Sequence, residues 1–167
     1  NGNTPVREDV PEGHLKKIGT PTMGGFLILL AISVSTLLWA DLRNGYVWVV
    51  LLVTMGFGAV GFADDYLKLT GHRWKGLPGR LKLLFEVLIA LVAAYWVMMI
   101  TPAPLADGLA IPFFKNVLLN LGWFFIPFAI FVMVGASNAV NLTDGLDGLA
   151  IGPIIIATLT YTGIVYI

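Results

Sequence analysis

Residues 46–68 read YVWVVLLVTMGFGAVGFADDYLK, an apolar run that ends in two aspartates and a lysine. As a helix rising 1.5 Å per residue, the apolar part, 46–63, approaches the roughly 30 Å thickness of a hydrocarbon core. Backbone groups in lipid must be hydrogen-bonded within the segment, so the run is predicted to be helix and not strand. Tyr46 and Trp48 are typical of a membrane interface. The sequence therefore predicts a transmembrane helix with charge at one end.

The composition of the whole chain favours a membrane protein. Of its 167 residues, 57% are hydrophobic and only 12% are charged, whereas an average soluble domain is about 25% charged. A soluble protein this apolar would have too few polar residues to cover its surface. The formal net charge is zero, so no overall positive field indicates a nucleic-acid partner. The chain has no cysteine, which excludes disulfides and thiolate metal sites within it.

Four further apolar stretches predict an all-α fold, a polytopic transmembrane helical bundle forming a single membrane domain. The five predicted spans are residues 24–40, 46–63, 83–101, 117–137 and 149–167. Pro127 and Gly122 predict a kink in the fourth span, and the proline-rich segment 101–115 predicts a compact turn or hairpin. Because the chain begins without methionine and ends within an apolar run, we expect it to be part of a longer protein.

Basic residues are concentrated on one predicted side of the membrane. Eight lysines and arginines fall in the segments 1–23, 64–82 and 138–148, whereas two fall in the loops 41–45 and 102–116. By the positive-inside rule, the side that carries eight basic residues is cytoplasmic.

The first of three polar motifs on that side is the N-terminal motif, residues 14–25 (HLKKIGTPTMGG). Its lysines, hydroxyls and helix-start N–H groups form a set that suits a phosphate. The alternative is an ordinary basic cluster beside the membrane, with Thr20 or Thr22 as a helix N-cap. Taken alone, this motif favours the alternative, because lysines beside a membrane span are common.

The second is the aspartate motif, residues 61–68 (GFADDYLK), where the second span meets the cytoplasm. Two adjacent carboxylates at the negative end of a helix dipole repel each other and need compensation. A divalent cation could supply it, and Lys68, four residues after Asp64, could supply part of it. Neighbouring helical residues point about 100° apart, so Asp64 and Asp65 could face different partners. The alternative is a solvated helix end with an ion pair.

The third is the asparagine motif, residues 137–148 (SNAVNLTDGLDG), between the fourth and fifth spans. Its amide and carboxylate oxygens are hard ligands suited to magnesium, and the same groups can hydrogen-bond a sugar or a base. Gly145 and Gly148 permit close approach of a ligand. A plain turn would not explain so many polar side chains at a membrane edge, where such clusters are usually functional.

A basic group lies in the same predicted loop as the aspartate motif. Lys75, Arg80 and Lys82 could bind a pyrophosphate or anchor the loop to anionic lipid, and the sequence favours neither. Glu86 follows Lys82 by four residues, a spacing that predicts a structural ion pair.

Together the motifs resemble the phospho-N-acetylmuramoyl-pentapeptide transferases, a family within the polyprenyl-phosphate N-acetylhexosamine-1-phosphate transferase superfamily. The matching blocks, in the family's order, are residues 17–25 (KIGTPTMGG), 61–68 and 138–150 (NAVNLTDGLDGLA), and residues 7–14 also look like this family. The resemblance implies that the chain is about half of a roughly ten-helix protein. A third essential aspartate and a histidine-rich loop are expected beyond residue 167.

The resemblance implies Mg²⁺-dependent transfer of phospho-MurNAc-pentapeptide from its UDP donor to undecaprenyl phosphate, giving lipid I and UMP for peptidoglycan synthesis. The enzyme would act at the cytoplasmic face of the bacterial inner membrane. Its partners would be the lipid bilayer and, as a further candidate, a second copy of the protein in a homodimer. Asp64, Asp65 and Asp144 would be catalytic, and Asn141 would contact the metal near one of the first two. The implied substrate-binding residues are Lys17, Thr22, Lys68, Lys82, Asn138, Gly145, Leu146 and Asp147.

Two other functions stay open at this point. One is a UDP-GlcNAc:polyprenyl-phosphate transferase of the same superfamily. The other is a cation channel or transporter that uses the aspartates as ion ligands. A channel requires polar residues along a path through the membrane, whereas the polar residues here crowd one face of otherwise apolar spans, which disfavours it.

We predict from the charge bias that segments 64–82 and 138–148 lie together on the cytoplasmic face. In a full-length protein without other cysteines, Thr70→Cys and Thr143→Cys should resist a membrane-impermeant maleimide in intact cells and react after permeabilisation. Arg43→Cys, in an outer loop, should react in intact cells. Labelling of Thr70→Cys or Thr143→Cys from outside would contradict this topology.

Overall fold

A computed structural model describes residues 24–70, 76–111, 117–143 and 149–166. The described chain is mostly helical, and the predicted all-α class is confirmed. The helices are α1 (Gly24–Trp39), α2 (Gly45–Thr70), α3 (Gly79–Ile100), α4 (Phe125–Thr143) and α5 (Ile151–Tyr166). A short hairpin of strands β1 (Gly108–Ala110) and β2 (Leu118–Asn120) joins α3 to α4.

Three of the described helices are long and apolar enough to cross a membrane. These candidate spans cover Gly45–Lys68, Gly79–Ile100 and Gly122–Thr143. Helices α1 and α5 have 16 residues each. At 1.5 Å per residue they extend about 24 Å, less than the roughly 30 Å of a typical hydrocarbon core. Both shorter helices adjoin residues outside the described ranges.

Helix α3 lies between α2 and α4, and α1 packs on the other side of α2. The contacts rely on small residues: Ala90, Ala93 and Ala94 of α3 are buried. A Cβ added at Gly58 of α2 would lie 2.5 Å from Leu29 of α1, and one at Gly56 would lie 3.0 Å from Ile89 of α3. Lipid gives helices little hydrophobic reason to associate, so close van der Waals contact at small residues matters more here than in a soluble bundle.

Two helices end later than their predicted spans, which is a correction to the sequence prediction. A third, α3, starts at Gly79 and not at residue 83, so Lys82 lies on a helix and not in the predicted loop. Helix α2 continues to Thr70 and α4 to Thr143, beyond the predicted ends at residues 63 and 137. Neither extension contains Gly or Pro, the residues that most strongly end helices. Hydrogen bonds from Asn138 and Thr143 side chains to carbonyls four residues earlier remain within α4. The aspartates and Asn138 therefore lie on helices, where we expected helix ends or loops.

The start of the fourth span is a second correction. Residues 118–120 form β2, paired antiparallel with β1 so that Leu119 faces Leu109, and α4 begins only at Phe125. The predicted hairpin is present but reaches Asn120. Gly122 has a φ of +49° and starts a short 3-10 helix, Gly122–Phe124, that leads into α4. Pro127 falls in the first turn of α4, where proline is tolerated. Both residues therefore lie at the entrance of α4 and not in its body, where the kink was predicted.

Candidate active site

The carboxylate of Asp64 is held by two hydrogen bonds at the end of α2. Its Oδ2 accepts from Nζ of Lys68 at 2.6 Å, one helical turn further on. Its Oδ1 accepts from the backbone N–H of Leu77 at 2.7 Å. The side chain is only 16% exposed. Asp64 therefore binds its own helix and the segment that leads into α3 at the same time.

Asp65 has a different environment although it is the adjacent residue. Its side chain is 54% exposed, and its Oδ1 lies 3.4 Å from Nζ of Lys68. It stands at a groove of about 190 Å³ between α1 and α2, whose other lining residues are apolar or glycine. Phe26 and Phe62 form part of the wall, with ring centroids 5.8 Å apart. Asp65 thus presents a largely uncommitted carboxylate beside an apolar surface.

The hydrogen bond from Leu77 to Asp64 depends on Gly76, a residue that the sequence analysis did not single out. A Cβ built at Gly76 would collide with Oδ1 of Asp64 and would lie 2.8 Å from Cε of Lys68. The absence of a side chain is therefore needed for the backbone of residues 76–77 to approach the carboxylate. Gly76 acts through Asp64 and Lys68.

A second polar cluster links α3 to α4. Glu86 is 3% exposed, and its Oε2 accepts a hydrogen bond from Nδ2 of Asn138 at 2.5 Å. The predicted pairing of Lys82 with Glu86 is present, with Nζ 4.0 Å from Oε1, at the outer limit for an ion pair. The nearer partner of Glu86 is Asn138, which the sequence did not predict because the two residues are 52 positions apart.

The two clusters lie at the same end of the bundle. Helix α3 starts directly after the segment bound by Asp64, and the N–H of Lys82 donates to the carbonyl of Pro78 at 3.1 Å. Since α2, α3 and α4 pack side by side, the end of α2, the start of α3 and the end of α4 form one polar region. The aspartate motif and the first residues of the asparagine motif therefore share one end of the helices.

Residues 47–167 match a family model described as Glycosyl transferase family 4. The chain belongs to this family. It is also 61% identical to a phospho-N-acetylmuramoyl-pentapeptide-transferase of Granulibacter bethesdensis, over 167 residues that cover 99% of this chain. The alignment covers 46% of that relative, so the chain spans about half the length of the curated relative it matches. The resemblance predicted from the three motifs is confirmed.

Half of the predicted site residues of this glycosyl transferase family 4 chain fall within the described ranges. Asp64, Asp65 and Lys68 are brought together on α2, whereas Lys82 and Asn138 meet through Glu86. Asn141 is exposed on α4, three residues after Asn138 and hence on the same side of the helix. The others lie outside the described residues: Lys17, Thr22, Asp144, Gly145, Leu146 and Asp147.

The donor set of this family member fits a hard cation in chemical type. Within the described ranges, no three acidic or histidine side chains are gathered into a metal-binding group. Asp65 nevertheless retains exposed carboxylate oxygens, and the amide of Asn141 is exposed. Carboxylate and amide oxygens are the ligands that magnesium takes from proteins. Asp65 and Asn141 lie on α2 and α4, with α3 between those helices, so each is a separate candidate ligand and the described residues do not bring them together.

We predict that Gly76→Ala impairs the site while the fold is retained. The added methyl group would displace the Asp64 carboxylate from Lys68 and from the N–H of Leu77, so transferase turnover by the full-length protein should fall by at least about tenfold. Gly79→Ala is the matched control, because a Cβ there meets no described atom within 4 Å. Equal activity of both variants in a radiolabelled transfer assay would show that the Gly76 contact is unimportant.

Proposed function

We propose that the protein containing this chain transfers phospho-MurNAc-pentapeptide from its UDP donor to undecaprenyl phosphate, with Mg²⁺, and releases UMP and lipid I. The observation that carries this proposal is 61% identity, across 99% of the chain, to a relative named as a phospho-N-acetylmuramoyl-pentapeptide-transferase. The polar end of the bundle adds support, because phosphoryl transfer depends on positioned charge more than on covalent chemistry.

Among the basic side chains in the described part of the chain, Lys68 is the best placed to bind a phosphate. It contacts both Asp64 and Asp65, and an ammonium group has three protons to donate. Two aspartate contacts therefore leave one donor for a phosphate oxygen. Because Asp64 binds Lys68 at the shorter distance, we assign Asp64 the role of holding this ammonium group in place.

Asp65 is the better placed of the two aspartates to contact the reacting groups. It is exposed, is only weakly paired with Lys68 and lies beside an apolar groove. A carboxylate there can take a proton from a lipid phosphate whose hydrocarbon lies against the apolar wall. We therefore propose Asp65 as the base, a choice that the sequence left open.

Magnesium, when bound, would supply positive charge beside the reacting phosphates. Asn141 would help to hold it, and Asp144 is a further candidate. The eight basic residues on the same predicted side support a cytoplasmic site. The substrate contacts of Lys17, Thr22, Gly145, Leu146 and Asp147, and a homodimer, remain proposals from the resemblance.

The donor assay tests this function directly. Full-length protein in detergent with undecaprenyl phosphate and Mg²⁺ should form lipid I from UDP-MurNAc-pentapeptide and release UMP. UDP-GlcNAc should be a poor donor, since the relative is named for the muramoyl peptide. Product formation from UDP-GlcNAc alone would instead assign the chain to the other transferases of the superfamily. Cation flux into liposomes without transfer would support the channel alternative.

We predict that Asp64→Asn and Asp65→Asn each lower kcat by at least about a hundredfold, because each removes a charge on which the reacting groups depend. The kcat of the double variant should be little lower than that of the less active single variant, since the effects of residues that act as a unit are not additive. Asp144→Asn should behave alike.

Asp41→Asn is the matched control for these substitutions. Asp41 lies before α2 at the other end of the helix, and its Oδ1 accepts the N–H of Arg43 at 3.0 Å, a bond that an asparagine oxygen can keep. Its turnover should be unchanged. Full magnesium-dependent turnover by Asp64→Asn and Asp65→Asn would contradict the mechanism.

A further inference from the structure

Glu86 is the buried polar residue of the described chain that the mechanism above does not use. Only 3% of it is exposed, and it lies two helical turns inside α3, within a candidate membrane span. A carboxylate in such surroundings is costly unless hydrogen-bond donors surround it. A buried carboxylate at this position therefore needs a nearby hydrogen-bond donor as its partner.

That partner is the carboxamide of Asn138 on α4. Its nitrogen donates to Oε2 of Glu86 at 2.5 Å and to the carbonyl of Val134 at 2.9 Å. Lys82 is a weaker partner, with its ammonium nitrogen 4.0 Å from the other carboxylate oxygen. The two hydrogen bonds of Asn138 use both protons of its amide nitrogen.

The chemistry of these partners fixes which way the amide faces. A backbone carbonyl can only accept, and an ionised carboxylate can only accept. Reversing the amide would place its oxygen against the carbonyl of Val134, where no proton is available. The NH₂ group of Asn138 is therefore committed to Val134 and Glu86, and its oxygen is the atom left for another molecule.

We propose that Glu86 is a positioning residue that orients Asn138, so that the asparagine offers the substrate a hydrogen-bond acceptor and no donor. The proposal rests on the proposed function and narrows it. An acceptor oxygen on this side of α4 can bind a sugar hydroxyl or a ring N–H of the UDP-sugar. It cannot bind a phosphate oxygen, which is itself an acceptor. Lys68 would thus contact the phosphate oxygens of the UDP-sugar, and Asn138 would contact one of its hydroxyl or N–H groups.

Substitutions of Glu86 in the full-length enzyme separate this role from a general need for packing. Glu86→Gln keeps an acceptor oxygen for the amide of Asn138, whereas Glu86→Met has similar length and offers none. Glu86→Met should raise the KM for UDP-MurNAc-pentapeptide by about tenfold or more, the loss expected for one hydrogen bond to a charged group. Glu86→Gln should restore the KM to within about threefold of the unsubstituted enzyme.

The double variant tests whether Glu86 acts through Asn138. In an Asn138→Ala background, Glu86→Met should change the KM by less than about threefold further, because the amide that it orients is gone. In a Lys82→Met background, Glu86→Met should still raise the KM by about tenfold, because the effect acts through Asn138 and not through the ion pair. If Glu86→Met lowers thermal stability but leaves the KM unchanged, or acts equally with and without Asn138, the proposal is wrong.

A measurement without substrate distinguishes failure of this proposal from failure of the proposed function. In full-length protein labelled with ¹⁵N-asparagine and reconstituted in liposomes, the side-chain NH₂ of Asn138 should give a downfield proton signal in solid-state NMR. The signal, assigned by its loss in Asn138→Ala, should move upfield in Glu86→Met and return in Glu86→Gln. An Asn138 signal whose chemical shift is the same in Glu86→Met and in the unsubstituted protein overturns the proposal. An intact signal in a protein that transfers from neither UDP-sugar supports the orientation of Asn138 and overturns the proposed function alone.

Discussion

A carboxylate in the hydrocarbon core of a membrane is energetically unfavourable. The described helices place their carboxylates where hydrogen-bond donors lie close to them. The three acidic residues of α2 and α3, Asp64, Asp65 and Glu86, all lie toward one end of the bundle, and each has at least one donor within reach. Helices α2, α3 and α4 alternate in direction, because Tyr46 bonds Thr101 and Glu86 bonds Asn138, so the end of α2, the start of α3 and the end of α4 meet there. The remaining length of each helix is apolar. Concentrating charge at one end keeps the spans compatible with lipid and creates a site for charged substrates.

Close packing of the helices is the second requirement for this site. The hydrogen bond between Glu86 and Asn138 needs α3 and α4 near each other, and the buried alanines at 90, 93 and 94 leave room for this approach. On the other side, Gly56 lets α2 approach Ile89 of α3. A larger side chain at these positions would separate the helices and lengthen the polar contacts. Packing in the apolar part thereby sets distances in the polar part.

The two adjacent aspartates show how one sequence pattern yields two environments. Asp64 points toward the segment before α3, where Lys68 and the N–H of Leu77, in place of water, donate hydrogen bonds to its carboxylate. Asp65 points toward α1 and stays exposed. The difference arises from their angular separation on the helix, because only one of them can face α3. Gly76 then decides how closely the chain can approach Asp64.

The sequence by itself determined the all-α class, the apolar segments and the resemblance to a family, because hydropathy and contiguous motifs are local properties of the chain. It also indicated the Asp64–Lys68 and Lys82–Glu86 pairs, since an i,i+4 spacing is local to a helix. Helix ends were less well determined. The aspartates and Asn138 continue the helices α2 and α4, and β2 takes the place of the predicted start of the fourth span, because polarity marks a membrane edge but does not end a helix. Only the tertiary structure decided that Gly76 must lack a side chain, that Asp64 and Asp65 differ in exposure, and that Glu86 binds Asn138. Each of these depends on contacts between segments far apart in sequence, and no local pattern encodes the distance between two packed helices.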